Sequence, residues 1–130
     1  MTVLTLLASG KLLVTGGAAS GYLADAVLYD PGTNSSSAAG PLAVGRGYHQ
    51  ATLLPNGKVL LSGGYGGSGF LASVELYDPA SHNFSQPHAM TVARYFGTAS
   101  LLPSGRVLMA GGYTGFNPTA SMELYDPSGP

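Results

Sequence analysis

The sequence contains no cysteine and no tryptophan, and only 8% of its residues are charged. Without cysteine there is no disulfide, no thiolate metal ligand and no thiol nucleophile. An average soluble protein carries roughly 25% charged residues. A surface so poor in charge gives weak colloidal protection, so it is either covered more than usual or associates. The formal net charge is −1 and basic residues form no run. That argues against nucleic acid, whose binding needs clustered Lys and Arg. No stretch reaches the roughly 20 apolar residues of a membrane-spanning helix. The opening MTVLTLLASGKLLV has the apolar run of a leader peptide but no positively charged start, and Lys11 interrupts it.

What the sequence does have is glycine and proline, 20 and 9 of its 130 residues, with 45% hydrophobic residues. The length suits one domain. A glycine and proline share this high signals disorder only when it is aperiodic. Here it is periodic. YDP occurs at 29–31, 77–79 and 125–127, and a double glycine at 16–17, 63–64 and 111–112. Before each double glycine stands a related segment: LLASGKLLVTGG (6–17), LLPNGKVLLSGG (53–64) and LLPSGRVLMAGG (101–112). Three aligned copies at a fixed period mark a repeat architecture.

Each unit reads as short strands, here lettered a to d. In the middle unit HQATLL (49–54) is strand a, and Asn56-Gly57 makes a tight turn whose positive φ angles suit a hairpin. KVLLS (58–62) is strand b, apolar on both faces as a strand covered on both sides requires. A loop spans 63–71. ASVELYD (72–78) is strand c, ended by Pro79, and HNFSQ (82–86) is strand d. No segment shows a sustained helical period. Four strands per repeat with turn signals between them predict an all-β fold of four-stranded antiparallel propeller blades.

The double glycine at a strand end, a tyrosine some way on and a further aromatic after it resemble the kelch repeat. In the middle unit these are Gly63, Gly64, Tyr77 and Phe84; the structural positions recur as Gly16, Gly17 and Tyr29, and as Gly111, Gly112 and Tyr125. The stretch ATLLPNGKVLLSGG…LASVELYDP is most similar to bacterial kelch repeats and to the propeller of galactose-oxidase-like proteins. The resemblance implies a kelch-type β-propeller and leaves function open, because such propellers serve as enzymes, adaptors and sugar-binding modules. In the first unit Ser36 replaces the second aromatic, so its outer edge should pack loosely. The third unit stops before any strand d. The units are expected at 1–40, 41–88 and 89–130, about two and three-quarter blades in an incomplete ring. Propellers close with roughly 4–8 blades. The expectation is therefore a segment of a longer propeller, or a protomer that closes its ring with a second copy.

Several apparent motifs weaken against the repeat. GGYGGSG (63–69) matches G-x-G-x-x-G from Gly64, but a phosphate clamp needs a helix next, and FLASVELYDP reads as a strand. His49, His82 and His88 have no partner at metal-ligand spacing and are expected at the surface or lining the channel. The likeness to galactose oxidase would require copper ligands and a cysteine-linked tyrosine, and no cysteine is present. No catalytic residue, metal site or cofactor is expected. Asp30, Asp78 and Asp126 suit the turn after strand c, where aspartate bonds its own backbone. Glu75 and Glu123 hold equivalent positions where the first unit has Val27, and Arg46 and Arg94 recur just before strand a. Each arginine is read as a repeated pin, or as a cation near the channel mouth. Asn34-Ser-Ser and Asn83-Phe-Ser are formal glycosylation acceptors.

Antiparallel order puts the b–c and d–a connections on one face of the disc. The b–c loops carry Tyr22, Tyr65, Phe70, Tyr113 and Phe116; the d–a loops carry Arg46, Tyr48, Arg94, Tyr95 and Phe96. Aromatics and arginines dominate binding hot spots. This is the candidate binding face, with Tyr48 and Phe96 expected to serve packing. The expected function is a non-catalytic scaffold binding a protein or another ligand. The alternatives are the propeller of a galactose- or glyoxal-oxidase-like copper enzyme and a carbohydrate-binding module. The low charge and the richness in Gly, Ser and Thr resemble secreted bacterial kelch proteins, which implies a secreted or cell-surface location.

Overall fold

The computed structural model describes residues 2–18 and 21–127. Every named element among them is a strand. The first sheet holds β1 (Val3–Leu6), β2 (Leu12–Thr15), β3 (Ala26–Asp30) and β4 (Ser35–Ala38) in that spatial order. The second holds β5 (Gln50–Leu53), β6 (Val59–Ser62), β9 (Val74–Asp78) and β10 (Asn83–Ser85). Between β6 and β9 lies a hairpin of β7 (Tyr65–Gly66) and β8 (Gly69–Phe70). The third sheet holds β11 (Thr98–Leu101), β12 (Val107–Ala110) and β15 (Met122–Tyr125), with a matching hairpin of β13 (Tyr113–Thr114) and β14 (Asn117–Pro118). All pairings are antiparallel. The fold is all-β: two four-stranded blades, a third sheet of three strands, and a ring that does not close.

Two local features differ from the sequence reading. The segment 63–71 is not a bare loop but carries the β7–β8 hairpin, although strand β9 follows it as expected. At the a–b turn only Gly57 takes a positive φ, at 86°, while the Asn56 side chain accepts the Lys58 N–H. The c–d turns follow expectation: Asp30 Oδ1 accepts the Gly32 N–H and Asp78 Oδ1 the Ala80 N–H, both at 2.9 Å.

The alternation of β6 builds the core. Val59 and Leu61 point toward the first blade and join Leu13, Leu28 and Tyr77. Leu60 points the other way and joins Val74, Val107 and Met109. All four residues of β6 are buried, which explains a strand apolar on both faces. Burying each such side chain contributes about 1.5–3 kcal/mol. Tyr77 packs on Phe84 with ring centroids 4.9 Å apart. In the first blade Ser36 faces Tyr29, and β4 is exposed throughout.

The double glycine has a packing reason. Gly63 sits at φ 64°, and a Cβ there would strike the Arg94 carbonyl oxygen, which lies in the connector into the next blade. Gly64 N–H donates to that same carbonyl at 2.9 Å. Gly16 and Gly17 repeat the arrangement with Arg46. The glycines are thus where one blade's strand b meets the chain entering the next.

Candidate functional site: an aromatic ledge on the loop face

The connectors 41–49 and 89–97 are held first, and the aromatic side chains ride on them. Leu42 N–H donates to Ala24 O in the first blade, and Arg46 N–H to Leu23 O. The Arg46 side chain then crosses into the second blade. Its Nη1 donates to Gly63 O and Ser73 O, and its Nη2 to Ser73 Oγ and, at 3.0 Å, to Glu75 Oε2. Glu75 also accepts the Ala43 and Val44 N–H groups at 2.8 and 3.1 Å. Arg46 and Glu75 are both 0% exposed. The next connector copies this: Arg94 bonds Gly111 O, Ser121 O, Ser121 Oγ and Glu123, and Glu123 accepts the Thr91 and Val92 N–H groups.

Burial lowers the Arg46 pKa from its ordinary value, although Glu75 works against the shift. Burial pushes Glu123 up, but the Thr91 and Val92 N–H groups and Arg94 outweigh it and hold its pKa below the usual carboxylate range. The two arginines named for the binding face therefore lie beneath it, with their charge spent inside the fold. Sequence reasoning noted Glu75 and Glu123 as equivalent positions but missed that they pair with the two arginines.

Above these pins the b–c hairpins and d–a connectors are tied together. Gly47 pairs with Tyr65 and Tyr95 with Tyr113 through isolated bridges. That pairing gathers the side chains into one continuous cluster. Tyr95 is its hub, with centroids 5.1 Å from Phe70, 5.0 Å from Phe96, 5.6 Å from Tyr113, 6.2 Å from Tyr65 and 6.5 Å from Tyr48. Tyr22 reaches it through Tyr65, and Phe116 through Phe70. Tyr48 and Phe96, 4.9 Å apart, sit at φ 56° and 57°. Left-handed backbone is uncommon for a bulky side chain, and here it occurs twice at equivalent positions. Seven of these aromatic residues line a cleft of about 290 Å³. Phe116 is 92% exposed at its rim. Burial, with the nearby phenols of Tyr48 and Tyr65, raises the Tyr22 pKa above its ordinary value.

His82 and His88 are exposed, as expected, but His49 is not. His49 is 1% exposed, and its Nε2 shares a 2.9 Å hydrogen bond with the Thr15 hydroxyl across the first blade junction. It is neither on the surface nor lining an open channel, because it fills the space the double glycines leave. Its Nδ1 has no hydrogen-bond partner. His82 Nδ1 bonds the Tyr77 hydroxyl at 3.2 Å. His88 lines a second cleft, of about 340 Å³, between the second and third sheets. The acidic groups of that cleft are engaged, Glu123 with Arg94 and Asp126 with Arg106. Among the described residues no three His, Asp or Glu side chains come together as a metal site would need. Nor is any helix among them long and apolar enough to cross a membrane.

The family model described as Kelch motif matches residues 46–91, the span from the Arg46 pin through the second blade, so the middle unit is a kelch repeat. No curated protein gives a significant match to the chain.

Proposed function

We propose that the chain is a non-catalytic kelch-repeat scaffold that binds a partner on the face carrying the b–c hairpins and d–a connectors. The observation that supports this most directly is the aromatic cluster around Tyr95, which three successive units build together. A rigid sheet scaffold presenting loops is a common site of binding, and exposed aromatic anchors supply most of the energy at interfaces. Tyr65, Phe70, Tyr95, Tyr113 and Phe116 form the contact surface. Phe96, 54% exposed, adds to that surface, and Tyr48 packs against it from the preceding connector. Arg46 and Arg94 fix the ledge from below.

The test is a selection of displayed peptides and arrayed glycans on the wild-type chain, repeated on Tyr113→Ala/Phe116→Ala. Both rings are exposed, so the variant loses about 1 kcal/mol of ring contact and its melting temperature falls by no more than about 5 °C. Ligands selected by the wild type should be lost on the variant. A set of ligands retained in full by the variant would refute the reading.

A further inference from the structure

We infer that the aromatic cleft recognises proline-rich segments in the polyproline II conformation. This rests on the binding-face reading and names its ligand class.

The cleft carries no charge. Every residue lining it is Tyr or Phe, and the nearest cations, Arg46 and Arg94, are paired with Glu75 and Glu123 beneath it. An acidic segment would leave its solvation shell with nothing to replace it, so the occupant is not anionic.

Apart from Phe70 and Tyr95, which stack at 29°, the neighbouring rings are tilted. Tyr65 and Phe70 meet at 85°, Phe70 and Phe116 at 84°, and Tyr22 and Tyr65 at 55°. Such a floor is ridged. A flat sugar face needs a flat platform, whereas pyrrolidine rings drop edgewise into slots between tilted aromatics.

Hydrogen-bond supply points the same way. The side-chain polar atoms of the lining are tyrosine hydroxyls, from Tyr22, Tyr48, Tyr65 and Tyr95. A phenol readily donates. A polyproline II strand makes no internal hydrogen bonds, and proline has no N–H, so it offers carbonyl acceptors alone. Donors suffice for it. A sugar brings many hydroxyl donors as well, and the cleft offers them only the four phenol oxygens, with no carboxylate or amide side chain.

Finally, Tyr48 and Phe96 are both held at positive φ. Glycine would adopt that backbone without strain. Strained backbone concentrates at ligand-binding positions, and here it projects rings into the cleft. A preformed polyproline helix docking on an aromatic-lined groove loses little conformational freedom.

The experiment titrates the full chain with a capped polyproline decapeptide, a Gly/Ser decapeptide of equal length, and cellohexaose. Quenching of tyrosine fluorescence reports occupancy. Saturable binding of polyproline alone is expected, weakened at least about tenfold by Tyr65→Ala and several-fold by the fully exposed Phe116→Ala, where folding is not at issue. Polyproline binding equally to both variants would place the ligand elsewhere and overturn the inference. Cellohexaose binding with polyproline inert would also overturn it while leaving the binding face in place. Binding of neither defeats the proline assignment, and the displayed-library selection then judges the face independently.

Discussion

Lowering the pH should weaken the fold through His49, and the magnitude follows from its surroundings. Burial, with the positive charge of Arg46, pushes the His49 imidazole down to about 3. In the unfolded chain it titrates near its ordinary value of about 6.5. Between those two values the unfolded state holds a proton that the folded state refuses. Stability therefore falls as pH falls through that window, by about 1.4 kcal/mol per pH unit, and the contribution is fully present above about pH 6.5. From about pH 7.5 to about pH 4.5 the loss is two pH units' worth, about 2.7 kcal/mol. For a fold whose total stability is about 5–15 kcal/mol this is a large share, and it lowers the melting temperature by about 10 °C. Glu123 acts in the same direction, because its depressed pKa gives stability that is lost on acidification. His49→Gln separates the two, since glutamine still bonds Thr15 but does not titrate. Urea unfolding across this range, followed by circular dichroism, should show the wild type losing about 2.7 kcal/mol more than the variant. Parallel pH profiles for the two proteins would refute the reasoning.

Two further perturbations test the framework. Glu75→Gln should destabilise by about 3–5 kcal/mol, because it strands the buried Arg46 guanidinium. Glu123→Gln should cost clearly less, its carboxylate being 15% exposed; equal losses in urea unfolding would contradict the burial difference. Gly63→Ala forces a Cβ onto the Arg94 carbonyl and a positive φ onto alanine. Its loss should exceed the ~1 kcal/mol typical of a Gly-to-Ala change at positive φ alone, whereas Gly67→Ala, with open space around it, should be nearly silent.

Much of this was legible because the repeat supplies its own alignment. Strands a, b and c came from three copies of one pattern, and YDP marked the aspartate turn. The b–c hairpins were not legible: β7 and β8 have two residues each, in a glycine-rich run with no alternation to read. The arginine pins were half legible. Arg46 and Arg94 recur, and so do Glu75 and Glu123, each acid 29 residues after its arginine. That shared separation was the available signal, but pairing them requires knowing that the connector passes back over strand c. Burial of His49 left no trace in sequence, since its cavity is formed by glycines of two other segments. The aromatics could be assigned to one face by topology. That Tyr95 is their centre could not, because its equivalent in the preceding unit is Gly47.

The arginine–glutamate staple also changes what counts as a unit. Each connector bonds by backbone to the blade before it, and by both its arginine side chain and its backbone to the blade after it. No blade holds a full set of its own bonds, so loss of one leaves open carbonyls on one neighbour and an unmatched carboxylate on the other. Such a chain behaves as a row of coupled neighbours rather than as separable modules. Unfolding should then run as a single front from an end inward, and the segment worth multiplying in an engineered array runs from pin to pin, Arg46 to Arg94, rather than from strand a to strand d.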